Sequence, residues 1–126
     1  MTASTRTLVR QRAGDRCEYC QLHQDDSPFA VLHIEHIRPR KHGGSDHESN
    51  LCLACIDCNL HKGPNLTGID PLTGKVTALF HPREQRWAGH FAWQGIRITG
   101  TTAIGRTTVQ VLQMNSDDQL SLRSAG

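Results

Sequence analysis

The sequence predicts an α+β fold, with a small metal-stapled core followed by a β-rich extension. Two Cys-x-x-Cys pairs, Cys17/Cys20 and Cys55/Cys58, enclose apolar runs that are separated by a polar, glycine-containing loop. Short β-prone runs dominate the chain after Pro64. With 126 residues, 37% of them hydrophobic and 5% aromatic, the core is expected to be small. Cores of that size often depend on a metal or a disulfide for stability.

Helix and strand signals in the first half place four elements around the cysteines. The predicted elements are a helix over 4–15, strands over 29–37 and 50–54, and a short helix over 56–62. Ser4 is the expected N-cap of the first helix and Gly14 its stop signal. Pro39 ends the first strand and begins a long polar loop. Gly63, followed by a proline, ends the second helix.

Three short β-prone runs define the predicted extension. They cover 76–80, 96–99 and 107–112, whereas the polar segment 116–126 is expected to be a flexible tail. The chain is therefore predicted to consist of a core over 1–64, an extension over 65–115 and a tail over 116–126. Trp87, Phe91 and Trp93 are expected to pack inside the extension rather than to stack on bases.

The cysteine spacing indicates a closed zinc site. Two thiolates three positions apart reach one metal at about 2.3 Å, and two such pairs complete a tetrahedral shell for structural Zn²⁺. The N-terminus lacks the apolar run of a signal peptide, and no stretch has the length of a membrane span. We therefore expect a reducing, cytoplasmic location without membrane contact, where such pairs bind metal rather than form disulfides. Cys52, outside both pairs, is expected to be a buried thiol.

Glu35 and His36 form an adjacent acid–histidine pair between the two cysteine pairs. Hydrolysis of a phosphodiester needs a base that deprotonates water and positive charge that neutralises the phosphorus oxygens. A neutral histidine suits the first task, and a carboxylate that holds a divalent cation suits the second. Neighbouring strand residues normally point to opposite faces, so both line one site only if the strand bends near Pro39.

The residues around this pair carry a family resemblance. The series is His36-Ile37-x-Pro39, Gly43-Gly44, Asn50-Leu51 and Cys55-x-x-Cys58-Asn59-x-x-Lys62-Gly63. It resembles the signature of HNH endonucleases in their zinc-containing form, over residues 17–63. The resemblance implies a ββα-metal (His-Me finger) fold, in which a hairpin and a helix surround one catalytic cation. Residues 65–113 resemble an extension that accompanies some bacterial HNH proteins.

The resemblance also implies roles for individual residues. Glu35 and Asn59 are expected to hold the catalytic cation, and His36 to be the general base. Asn50 is expected to tie the loop that orients the base, and Lys62 to contact phosphate. Glu at position 35 departs from the more frequent Asp, whereas Asn at position 59 is a recurrent variant that favours Mg²⁺ or Mn²⁺.

Two further histidines are candidate ligands of the same cation. His33 lies two residues before Glu35 and shares its predicted strand face. His61 lies two residues after Asn59, which on a helix is about 200° away. For both histidines a structural or exposed role is favoured over ligation.

The predicted function is cleavage or nicking of DNA by a metal-dependent nuclease, with RNA left open as a substrate. The residues expected to contact the nucleic-acid backbone are Arg38, Arg40, Lys41 and Lys62. No dimerisation signal is evident, so a monomer or weak dimer is expected. The alternative is a catalytically silent zinc module that binds nucleic acid or protein, which needs the cysteines and basic residues but not Glu35 or His36.

Overall fold

The computed structural model describes residues 1–125, and these residues form an α+β fold, which confirms the predicted fold class. Within them lie four α-helices: α1 Ala3–Arg12, α2 Ile56–Lys62, α3 Ala103–Val111 and α4 Asp117–Ala125. The same described residues contain six short strands, which pair as three antiparallel hairpins: β1 His33–His36 with β2 Leu51–Ala54, β3 Thr67–Ile69 with β4 Val76–Ala78, and β5 Phe91–Gln94 with β6 Arg97–Gly100.

The first hairpin and α2 form a ββα unit. In its register His36 lies opposite Leu51 and Glu35 lies opposite Cys52. The Sγ atom of Cys55 caps α2 by accepting from the backbone N of Cys58, and Gly63 ends the helix at a φ of 50°. The predicted return strand and second helix are therefore confirmed.

β1 is shorter than the predicted strand over 29–37. Phe29 is 99% exposed and Val31 64% exposed, so these two residues do not face the core, whereas Leu32 is buried in it. The side chain of Gln24 donates to the carbonyl of Ala30 at 3.0 Å and accepts from the backbone N of Leu32 at 2.8 Å. A side chain, rather than a neighbouring strand, thus satisfies the backbone before β1.

Helix α1 begins one residue earlier than predicted and ends three residues earlier, at Arg12. Thr2 rather than Ser4 is the N-cap, because its Oγ1 accepts from the backbone N of Thr5 at 3.1 Å. The last residue of α1, Arg12, donates through Nη2 to the carbonyl of Leu51 at 2.6 Å. This contact fastens the helix to the start of β2.

The run over 107–112, predicted as a strand, belongs almost entirely to α3. Thr102 caps this helix by accepting from the backbone N of Gly105 at 3.1 Å. Thr107 and Thr108 are fully buried, and Thr108 donates to the carbonyl of Ile104 at 2.7 Å. Tertiary burial against the hairpins outweighs the strand preference of these β-branched residues. The extension therefore contains helices in addition to its predicted strands.

Within the predicted tail over 116–126, the described residues contain a helix, and residue 126 lies outside the described residues. Residues 117–125 form α4, whose start is capped by Ser116 Oγ, which accepts from the backbone N of Gln119 at 3.2 Å. Arg123 fixes the helix by donating to the carbonyl of Ile96 at 2.9 Å. The polar composition of this segment does not indicate these contacts. One involves a backbone group, and the other joins α4 to a residue distant in the sequence. The division into separate domains stays a prediction.

One aromatic cluster joins the extension to the cysteine knuckle after α1. The rings of Phe80 and Phe91 lie 5.1 Å apart, and Tyr19 lies 6.5 Å from Phe80. Trp87 donates through its indole N–H to the carbonyl of Tyr19 at 2.7 Å. Phe91 is buried, as predicted, whereas Trp93 is 48% exposed.

Candidate functional site

The four paired cysteines converge on one point. Their Sγ atoms all lie within 4.8 Å of one another, and the Sγ atoms of Cys20 and Cys55 are 3.6 Å apart. The sulfur–sulfur edge of a tetrahedral zinc–thiolate shell is about 3.8 Å, so the arrangement suits Zn²⁺. All four residues are at most 2% exposed, which leaves no open position for a substrate. The donor set and its burial therefore fit a structural zinc site.

The electrostatics of this cluster favour a cation. Burial raises the pKa of the Cys17 thiol, whereas hydrogen bonds from the other cysteines lower the pKa of Cys55. A divalent cation among the four sulfurs would neutralise thiolate charge in this buried place and favour ionisation of the remaining thiols. Cys52 stands apart from the four ligands and is fully buried, as predicted.

A second candidate site lies where β1 ends beside α2. Glu35, His36 and Asn59 line one open cleft of about 290 Å³. Pro39 and Gly63 complete its rim. Glu35 is 7% exposed and His36 half-buried, so the two neighbours reach the same cleft although they alternate along the strand. The cleft combines a carboxylate, an amide oxygen and an imidazole.

Glu35 lies against the buried ammonium of Lys62. The Nζ atom is 3.6 Å from Oε1 of Glu35 and donates to the carbonyl of Ile37 at 3.0 Å. Burial raises the pKa of Glu35 to about 7, and the Lys62 charge opposes that shift. Lys62 is only 2% exposed, and its ammonium lies against Glu35. The phosphate contact expected of Lys62 stays a prediction. The sequence offered one signal for the burial of Lys62. It lies four positions after Cys58, and residues with that spacing share a helix face.

His36 is held by a residue that sequence reasoning missed. Its Nε2 lies 2.7 Å from Oδ1 of Asp46, and Arg40 contacts both oxygens of that carboxylate at 2.8 and 3.1 Å. Hydrogen bonding to His36 holds the pKa of Asp46 below its ordinary value. With a carboxylate on Nε2, the neutral ring carries its proton there and leaves Nδ1 as an acceptor. No spacing rule in the loop distinguished Asp46 from Glu48.

The loop that carries Asp46 is closed by Asn50. The amide oxygen of Asn50 accepts from the backbone N of Arg38 at 2.8 Å, and its amide nitrogen donates to the carbonyls of Arg38 at 3.0 Å and Ser45 at 2.8 Å. Gly44 fits inside this closure, because a Cβ there would lie 1.7 Å from the Arg38 oxygen. The contacts needed for the loop-tying role expected of Asn50 are present.

Residues 17–65 match the sequence profile of a family described as HNH endonuclease. The chain carries an HNH domain. The matched region contains both cysteine pairs, the ββα unit and the cleft. No curated protein and no solved structure matches the chain.

The remaining predicted residues of the HNH domain lie outside the cleft or on its surface. His33 is exposed, and His61 lies 2.8 Å from the carbonyl of Asp57 on its own helix; neither lines the cleft. Arg38 and Lys41 are exposed beside it. Within residues 1–125, the helices are too short or too polar for any to cross a membrane.

Proposed function

We propose that this chain is a metal-dependent endonuclease that hydrolyses phosphodiester bonds in DNA through its HNH cleft. The observation that carries the proposal is the meeting of Glu35, His36 and Asn59 at one opening, with His36 fixed by Asp46 at 2.7 Å. Each of these residues has an ordinary structural use alone. Together they supply an oriented base and hard oxygen donors at the same place.

The base in this proposal is His36. Its Nε2 is occupied by Asp46, so Nδ1 accepts the proton of the attacking water. Asp46 prevents rotation of the ring and stabilises the positive charge that the ring gains with that proton. Asn50 acts on the same group indirectly, because it closes the loop from which Asp46 projects.

Glu35 and Asn59 are the residues that would hold a catalytic divalent cation, Mg²⁺ or Mn²⁺. Their carboxylate and amide oxygens are the hard donors that these ions prefer, and both line the cleft. When bound, such a cation neutralises charge on the phosphate and assists the leaving oxygen. The neighbouring Lys62 opposes the rise in the pKa of Glu35, which favours the ionised carboxylate that ligation requires.

DNA would approach across the exposed basic residues beside the cleft. Arg38 and Lys41 are exposed, so they are available for phosphate contacts that carry no sequence information. Binding of this kind weakens steeply with salt. Arg40 pairs with Asp46. This ion pair connects the segment proposed to contact the DNA backbone with Asp46 and, through it, with His36.

Cleavage of supercoiled plasmid tests the proposal. The wild type, His36→Ala and His33→Ala are compared in Mg²⁺, Mn²⁺ and EDTA, with a structured RNA as a second substrate. His33→Ala is the matched control, because this histidine is exposed and lies three positions before His36 on the same strand. We expect metal-dependent nicking that His36→Ala abolishes and His33→Ala retains. DNA binding without cleavage under every metal would favour the silent zinc module instead.

A further inference from the structure

Gln119, in the C-terminal helix α4, lies against the cysteine cluster. Its Nε2 is 3.5 Å from the Sγ of Cys55 and 4.0 Å from the Sγ of Cys58. The side chain is fully buried. The residue stands beyond the HNH match, which ends at residue 65, so this contact comes from the extension.

The two polar atoms of the buried Gln119 amide differ, because Nε2 has sulfur acceptors beside it. Within residues 1–125 its Oε1 is buried without a hydrogen-bond partner, which is unfavourable. An apolar side chain of similar size would fill the space without that cost. The N–H groups, by contrast, face sulfur atoms that accept hydrogen bonds best when they are thiolates.

Several contacts hold α4 in the position that presents this amide. The backbone N of Gln119 donates to Ser116 at 3.2 Å. The guanidinium of Arg123 donates to the carbonyls of Met114 and Ile96 and lies 5.6 Å from the ring centre of Trp93. The contacts of Arg123 thus fix the helix to the second half of the extension.

We infer that Gln119 is a positioning residue of the zinc site, and that α4 covers this site. Its amide donates N–H···S hydrogen bonds to the thiolates of Cys55 and Cys58, which lowers their nucleophilicity and slows the loss of zinc. The thiolate is the species that reacts with electrophiles, so a donor that stabilises it protects it. Partners of this kind hold ligand orientation and tune the metal. The inference needs the zinc site but not the nuclease activity.

The first test compares Gln119→Leu, which keeps the volume and removes the donor, with the wild type. Gln110→Leu, on the exposed face of α3, is the matched control for the same chemical change. Zinc release to a chromogenic chelator during alkylation by iodoacetamide is expected to be on the order of 10-fold faster in Gln119→Leu. In the Co²⁺-substituted protein, its sulfur-to-metal charge-transfer band should move to lower energy, which a packing role alone would not cause. A folded Gln119→Leu with the wild-type band and release rate would overturn the inference.

A second measurement uses the wild type and does not depend on the folding of a variant. In the protein loaded with ¹¹³Cd²⁺, the side-chain amide protons of Gln119 should show scalar coupling to the metal through sulfur. The amide of exposed Gln110 serves as the internal reference. Gln119 amide protons without such coupling, and with the shifts of an exposed glutamine, would mean that no N–H···S bond forms.

Discussion

His36 and Asp46, ten residues apart, are joined by a 2.7 Å contact between Nε2 and Oδ1. Asp46 also pairs with Arg40, so the side chains of His36 and Arg40 both hold the carboxylate. A histidine fixed in this way presents Nδ1 in one orientation. The contact therefore separates the role proposed for Asp46 from those of the residues proposed to contact DNA or hold a cation.

Replacing Asp46 is expected to slow the chemical step rather than weaken DNA binding. Asp46→Ala should lower the cleavage rate at saturating DNA by about 10–100-fold with little change in KM, because the base loses its orientation. Asp46→Asn should fall between this variant and the wild type, since its amide oxygen still accepts from Nε2–H. Single-turnover cleavage over a range of DNA concentrations measures both quantities.

Asp25→Ala is the matched control for Asp46→Ala. Asp25 also pairs with a histidine, His23, at 3.5 Å but lies outside the cleft. The Asp25→Ala variant should cleave DNA at the wild-type rate. A change confined to KM in Asp46→Ala would instead place Asp46 among the DNA contacts.

Lys62 and Lys41 are expected to differ in what their removal affects. Lys62→Met leaves the buried Glu35 carboxyl without its partner, so the free energy of unfolding should fall by up to about 3 kcal/mol. Adding Glu35→Gln should restore much of that loss, because no buried charge remains. Lys41→Met should leave stability unchanged and reduce the dependence of DNA binding on salt. Urea unfolding and binding titrations at several salt concentrations measure these effects. A lower salt dependence in Lys62→Met would return Lys62 to the phosphate contacts.

The elements predicted correctly from the sequence have local determinants. The α2 helix is capped at its start by Cys55 and at its end by Gly63, and these two signals lie eight positions apart. The cysteine cluster follows from spacing, because two Cys-x-x-Cys pairs have few ways to share a metal. Glu35 and His36 became candidates because His36 begins the series of residues that resembles the HNH signature and Glu35 directly precedes it.

The features that were missed depend on contacts between distant segments. Thr107 and Thr108 favour strands in isolation, and only burial against the hairpins makes them helical. Gln119 lies in a polar segment, and the cysteine sulfurs that it contacts belong to residues more than sixty positions earlier. Asp46 required the folded loop to bring it to His36. Composition and periodicity do not predict which distant segments of the chain contact one another.

Gly44 is expected to tolerate no side chain. A Cβ at this position would lie 1.7 Å from the carbonyl oxygen of Arg38 and 2.9 Å from the Asn50 amide nitrogen. Gly44→Ala must therefore open the loop, which should cost about 1–3 kcal/mol and most of the cleavage activity. Gly89→Ala is the control, because nothing lies within 4 Å of its Cβ. Chemical unfolding and plasmid cleavage measure the two effects; wild-type activity in Gly44→Ala would show that the closed loop is dispensable.

The ion pair between Asp70 and Arg106 is expected to make the extension sensitive to acid. Arg106 binds both oxygens of buried Asp70, through Nε at 3.0 Å and Nη2 at 2.8 Å. Hydrogen bonding to Arg106 holds the pKa of Asp70 well below its ordinary value. Because the folded state favours the ionised carboxyl, its stabilising contribution is complete above the unfolded pKa of about 3.9 and declines as the pH falls below it.

Asp70→Asn should therefore have a lower Tm than the wild type at pH 7, and the difference should shrink progressively below about pH 4. Thermal unfolding followed by circular dichroism at a series of pH values measures this difference. Asp26→Asn, at an exposed position, should show a Tm close to the wild type throughout. A Tm difference for Asp70→Asn that stays constant down to low pH would mean that the carboxyl stabilises the fold through its shape and neutral hydrogen bonds. In that case the charge on Asp70 would contribute nothing to the attachment of α3 to the β3–β4 hairpin.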